Sequence, residues 1–216
     1  MSDRAALVVM ARYPSAGEVK TRLASAIGAQ RACALYRAFL HDLDARFAGG
    51  RRNLVWAFHP PESDFAAVVG AGARCLPQRG GTLSERMHNC FGDLCADGFA
   101  RVLMIGADVP HVRDEWLDEA EECLERADVV LGPTEDGGYY LIAMRAPHDV
   151  FTGVETSTPH VLADTCRKAE VAGLRVHLLP TSFDVDDLDD LVRLRALITD
   201  AGNASRMPAT AALLRE

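Results

Sequence analysis

Gly106-Ala107-Asp108-Val109-Pro110 sets a carboxylate among small residues directly after the apolar run Arg101-Val102-Leu103-Met104-Ile105-Gly106. The run reads as a strand buried on both faces, so Asp108 falls just beyond its carboxyl end, where open α/β proteins bind ligands. A hard divalent cation takes carboxylate oxygens, and Mg²⁺ accepts one or two from protein while water and phosphate fill its other positions. Asp184 and Asp186, in Phe183-Asp184-Val185-Asp186, alternate along an extended segment. That alternation turns both carboxylates to one side and suits a companion ligand. Mg²⁺ or Mn²⁺ is therefore the expected cofactor, held by Asp108 with Asp186 or Asp184. The competing reading of Asp108 is a turn residue that caps the helix beginning near Arg113. Asp187, Asp189 and Asp190 need no ligand, because acids stabilise the start of a helix.

Cationic chemistry is expected from Gly17-Glu18-Val19-Lys20-Thr21-Arg22-Leu23, a loop leading into a helix whose first turn carries Lys20 and Arg22. Cations there are unfavourable unless an anion is present, so the loop reads as a phosphate site. It lacks the Gly-Lys-Thr order of a P-loop. In Gly132-Pro133-Thr134-Glu135-Asp136-Gly137-Gly138-Tyr139-Tyr140 the glycines allow close approach of backbone to a ligand, and a tyrosine offers a flat face with a polar tip. Gly137, Gly138 and Tyr139 are candidates for a donor or acceptor pocket and Asp136 for a catalytic base; a plain Asp-Gly hairpin turn is the alternative. Arg86, in Gly80-Gly81-Thr82-Leu83-Ser84-Glu85-Arg86, is either another nucleotide contact or part of a capped helix. His111 reads as a surface-loop residue.

These residues need strands and helices to hold them. Strand-like runs at Ala5–Met10, Asn53–Phe58, Val102–Gly106, Val129–Gly132, Tyr139–Met144 and Arg175–Leu179 are mostly separated by helical patterns, and the Gly137-Gly138 pair suggests one reversed strand. Leu35, Phe39, Leu43 and Phe47 predict an amphipathic helix over Ala29–Phe47, and Leu117, Ala120, Cys123 and Leu124 predict another. Ser157-Thr158-Pro159 reads as a cap with proline at the first helical position, and Gly202 to Pro208 as a mobile tail. The pattern implies a single-domain α/β fold with a mainly parallel sheet flanked by helices.

With 216 residues and a formal net charge of -8, the chain is a poor match for a general nucleic-acid binder, so any phosphate site is local. The short apolar start predicts no membrane insertion and a cytoplasmic setting. Six cysteines without a Cys-x-x-Cys pair read as reduced thiols. Oligomeric state is not legible.

Taken in order, Gly17-x-x-Lys20-Thr21-Arg22-Leu23, Leu83-x-x-Arg86-Met87, Gly106-x-Asp108-x-Pro110, Gly132-Pro133-x-x-Asp136-Gly137-Gly138-Tyr139-Tyr140 and Asp184-Val185-Asp186 resemble a family of small bacterial GT-A-like transferases, the radical-SAM/selenodomain-associated or arsenosugar-biosynthesis glycosyltransferases. The resemblance covers nearly the whole chain. It implies a nucleotide-diphospho-sugar transferase fold over 1–216 and a nucleotide-activated small-molecule substrate. Glycosyl transfer is the expected activity; nucleotidyl transfer releasing pyrophosphate, or nucleotide binding without catalysis, are the alternatives. One departure is Thr156, where the family pattern leads one to expect tryptophan.

Overall fold

Successive residues of strand β1 (Ala5–Arg12) enter different cores: Leu7 and Val9 pack on one side of the sheet, Ala6 and Val8 on the other. This explains the unbroken apolar run, because a strand with helices on both faces has no side left for water. The computed structural model describes residues 4–70, 72–156 and 158–215. Six further strands join β1: β2 (Asn53–His59), β3 (Arg74–Pro77), β4 (Arg101–Gly106), β5 (Val129–Pro133), β6 (Tyr139–Met144) and β7 (Val176–Leu178). They form one sheet in the order β3-β2-β1-β4-β6-β5-β7. Neighbours are parallel except that β6 runs antiparallel to both β4 and β5.

Leu23 of α1 (Thr21–Ile27), the Leu35-Phe39-Leu43-Phe47 stripe of α2 (Ala29–Phe47), Leu117 of α5 (Asp114–Cys123) and Leu191 of α7 (Leu188–Ile198) cover one face. The other is covered by α4 (Leu83–Ala96), through Phe91 and Leu94, and by α6 (Val161–Val171), through Ala169. The short helix α3 (Ala66–Val69) lies between β2 and β3. The fold is thus single-domain α/β, as the alternation of elements predicts. No helix among the described residues is long and apolar enough to cross a membrane.

The structure departs from sequence expectation at four places. Strand β3 has no apolar signature because it is a four-residue edge strand with no fully buried side chain. The expected mobile tail is instead helix α8 (Ala201–Arg206) followed by α9 (Pro208–Arg215). Met207 and Ala211 are buried there, and the fully buried Asp42 carboxylate accepts the N–H groups of Ala209 and Thr210 at 2.8 and 2.9 Å. A helix start anchored by a buried acid is held in place, and the anchor lies in a distant helix. Helix α6 begins at Val161 with His160 as its N-cap, so Pro159 precedes the helix; Ser157 lies outside the described residues. His111 is no free surface residue. It stacks on Phe183 with ring centroids 4.3 Å apart, and burial, with the Arg193 charge, pushes its pKa down to about 4.

Candidate active site

Parallel pairing sets Met10 of β1 beside Gly106 of β4, so the loops leaving these strands rise side by side. Ala107 N–H donates to the Met10 carbonyl at 3.1 Å and pins the second loop to the first strand. Gly106 is needed here, since a Cβ would lie 2.3 Å from Asp108 Oδ1. Its absence lets the carboxylate fold back over the strand end. Asp108 caps nothing: the N-cap of α5 is Arg113.

The third strand end contributes through a distant segment. Ser182 N–H donates to the Pro133 carbonyl (3.0 Å), Glu135 N–H to Ser182 (3.2 Å) and Val185 N–H to the Asp108 carbonyl (3.0 Å). Val185 is buried, and its neighbours Asp184 and Asp186 both line the cavity in front of Asp108. Carboxylate oxygens of Asp108, Asp184 and Asp186 all lie within 4.8 Å of one another. Asp187 accepts from Asp189 and Asp190 N–H and serves as the N-cap of α7.

Lys20 meets these acids directly. Its Nζ donates to Asp186 Oδ1 at 2.7 Å and Asp108 Oδ2 at 3.1 Å, and its side chain is only 6% exposed. Helix α1 starts at Thr21, so Lys20 is its N-cap and not part of the first turn. Lys20 is also the one non-glycine residue with positive φ (49°) among the described residues, a conformation that neighbouring structure must impose. Burial opposes its charge, yet Asp108 and Asp186 outweigh burial and hold the ammonium well above its ordinary range. Arg22 is more exposed and pairs with Asp187 at 2.8 Å and Asp186 at 3.7 Å. Cations that lack local partners in the sequence thus find them at Asp108, in the middle of the chain, and at Asp186 and Asp187, near its end.

Asp184 has no such partner among the described residues. Burial, then the charges of Asp108, Asp186 and Asp136, push its pKa up to about 7. Between the ordinary carboxylate range and that value the metal-free folded state holds a proton that the unfolded chain releases. Stability therefore falls as pH rises through this window. Urea midpoints in EDTA are expected to show this decline between about pH 4 and pH 7 in the wild type, and a flatter profile in Asp184→Asn. Parallel profiles for the two proteins would exclude Asp184 as the cause.

Two cavities meet at the acids. The larger, about 610 Å³, is lined by Asp136, Gly138, Tyr139, Thr134, Asp184 and Thr156, with Met87 and Met104 as apolar wall. The smaller, about 240 Å³, is lined by Arg12, Lys20, Thr21, Arg22 and Tyr36. Met10, Arg22, Asp108 and Asp186 belong to both.

The hairpin between β5 and β6 is an Asp-Gly turn that also faces the larger cavity. Asp136 Oδ1 accepts from Thr134 Oγ1 (2.5 Å) and Gly138 N–H (3.1 Å), which fixes the carboxylate. Burial pushes the Tyr139 phenol up to about 12, so it stays protonated. Gly137 stands behind this wall at φ +88°, where a Cβ would lie 2.1 Å from the Pro159 carbonyl; its smallness seats the 158–160 segment and does not open backbone to a ligand. Arg86 is not brought to the cavities. The capping box of Thr82 and Glu85 is formed, and the Arg86 guanidinium turns to the carbonyls of Gly80 and Gly81 at 3.0 and 3.4 Å. Sequence reasoning missed Tyr36, whose hydroxyl accepts Arg12 N–H at 3.0 Å. A lone hydroxyl in the apolar stripe of α2 was the available signal.

The family model described as "Uncharacterized protein conserved in bacteria (DUF2064)" matches residues 40–158. The chain belongs to this family. The DUF2064 match spans Asp108 and Asp136 through Tyr139, while Lys20, Asp184 and Asp186 lie outside it. The crystal structure of a protein from Desulfovibrio desulfuricans G20, described as a "putative nucleotide-diphospho-sugar transferase", is 34% identical with a TM-score of 0.91, over 100% of this chain and 95% of that one. A cytidylyltransferase from Leptospira borgpetersenii matches at 11% identity and TM-score 0.61, over 99% of this chain and 93% of its own. CMP:2-keto-3-deoxy-manno-octonic acid synthetase, complexed with CTP, matches at 14% identity and TM-score 0.55, over 91% and 98%. The last two likenesses show the fold alone; the fold shared with the 34% identical protein is that of the nucleotide-diphospho-sugar transferases. No curated protein matches the chain.

Proposed function

We propose that this protein is a metal-dependent transferase acting on a nucleotide-activated donor, and that the reaction is glycosyl transfer from a nucleotide-diphospho-sugar. One observation carries the reading: a cationic cavity and a larger mixed cavity meet at Asp108 and Asp186. Phosphate fits the first, and a sugar with its acceptor fits the second.

The donor set suits a hard divalent cation. Three carboxylates converge, Lys20 touches two of them, and the third is pushed toward its neutral form by burial and by the neighbouring carboxylates. Asp108, Asp186 and Asp184 would hold Mg²⁺ or Mn²⁺, which supplies Lewis-acid stabilisation to the oxygens of the departing diphosphate. Lys20, Arg22 and Arg12 bind the phosphates and offset their charge as the bond to the sugar breaks. Asp136, held by Thr134 and Gly138, takes the proton from the acceptor hydroxyl. Tyr139 and Gly138 orient the sugar, and the methionine wall keeps water from competing. The six unpaired cysteines support a reducing, cytoplasmic setting.

Nucleotidyl transfer is the second reading, favoured by the three cations around the smaller cavity, a set that also suits a triphosphate. The products separate the two. Incubation with Mg²⁺ or Mn²⁺, mixed nucleotide sugars and nucleoside triphosphates is expected to release a nucleoside diphosphate, detected by mass spectrometry and lost in Asp108→Asn. Pyrophosphate release that depends on Asp108, with no diphosphate from any sugar donor, would overturn glycosyl transfer.

A further inference from the structure

Away from the cavities, helix α5 and edge strand β7 bring together three side chains of a different chemical character. Glu119 and Cys123 are four residues apart on α5 and share a face of the helix. His177, in the middle of β7, pairs with Val130 of β5, whose side chain belongs to the core beneath α5, so the imidazole rises on that side. One carboxylate oxygen, the thiol sulfur and one ring nitrogen lie within 4.8 Å of one another, and Glu119 Oε1 is 3.6 Å from His177 Nε2. Ligand atoms around tetrahedral zinc are roughly 3.3–3.8 Å apart, given bonds of about 2.0–2.3 Å, so small side-chain adjustments complete the geometry.

A second observation also points to a ligand. His177 Nε2 is shut off from solvent and has no hydrogen-bond partner among the described residues, although the ring as a whole is half-exposed. A buried nitrogen without a partner is costly and calls for an explanation. Glu119 lies beyond hydrogen-bond reach of it, while a cation between the two would satisfy both.

We propose that Glu119, Cys123 and His177 form a second metal site, distinct from the three aspartates, that takes Zn²⁺ or a similar thiophilic divalent ion with water as fourth ligand. One thiolate, one imidazole and one carboxylate select such an ion over Mg²⁺, which prefers oxygen alone. On binding, the Cys123 sulfur gives its proton to solvent and bonds to the metal; no redox change is involved. The ion clips edge strand β7 to α5. The chain leaving β7 carries Asp184 and Asp186, and the chain entering α5 carries Asp108, so the clip braces both segments that deliver the aspartates. This inference does not rest on the proposed reaction.

Co²⁺ is the probe, added to the full chain with the aspartate site kept saturated by Mg²⁺. One equivalent is expected to produce thiolate-to-cobalt charge-transfer absorption that Zn²⁺ displaces and Cys123→Ser abolishes. Glu119→Gln and His177→Gln, both at half-exposed positions, are expected to weaken Co²⁺ binding at least about tenfold, since even loss of an outer-shell partner of a ligand has that effect. Absence of the sulfur band at one equivalent, or its survival in Cys123→Ser, would overturn the site. If circular dichroism shows that Cys123→Ser is unfolded, the other two variants decide, and unchanged affinity in both rejects the proposal.

Discussion

Asp108→Asn is expected to weaken metal-dependent nucleoside diphosphate binding about a hundredfold, or ~2.8 kcal/mol, while the protein stays folded. The change keeps the shape of the side chain but removes the charge a hard cation needs. Lys20 retains Asp186 at 2.7 Å, so its buried ammonium is not left alone, and Asp108 supports no helix as a cap. Titration calorimetry with and without Mg²⁺, beside a urea melt, measures both halves. Asp186→Ala is expected to do comparable damage, and the double variant little more than either single change, because both act on one ion. Wild-type affinity in Asp108→Asn at limiting metal would remove Asp108 from the metal site.

Lys20→Met is expected to act in two opposite directions. The ammonium occupies oxygens of Asp108 and Asp186 and repels any incoming cation, so its removal is expected to tighten Mg²⁺ binding about tenfold. The same change removes a charge-assisted partner of phosphate, worth about 1.5–3 kcal/mol, so nucleoside diphosphate affinity is expected to fall tenfold or more, roughly, at saturating Mg²⁺. Without metal, the three carboxylates lose their resident cation, and the melting temperature is expected to drop and recover when Mg²⁺ is added. If Mg²⁺ affinity is unchanged, Lys20 and the metal do not compete for the same oxygens. Equal losses for a diphosphate and its free nucleoside would point to a folding defect.

Much of the scaffold was legible because it depends on near neighbours. The stripe Leu35-Phe39-Leu43-Phe47 marks α2 with the bounds observed, Ala29–Phe47, since a helix is specified by a repeat of three to four residues. The Asp136-Gly137 turn marks the reversal at β6 in the same way, as only glycine accepts φ +88° without strain. Alternation across Asp184, Val185 and Asp186 placed both acids on one side because an extended chain has a period of two.

What the sequence left open involves partners far apart in the chain. Cations near a helix start indicated an anion but could not say which; the structure supplies carboxylates 88 and 166 residues away from Lys20. Arg86 looks equally suited to phosphate, yet backbone carbonyls of its own loop hold it away from the cavities. The tail from Gly202 is rich in small residues and reads as loose until the buried Asp42 carboxylate, over 160 residues earlier, anchors α9. Sequence periodicity thus determined most of the segments that become strands and helices. Only strand order and register decided which loops meet: β1 and β4 end together through their parallel pairing, and β5 joins them through the antiparallel β6 between, a property of the packed sheet and of no local stretch of chain.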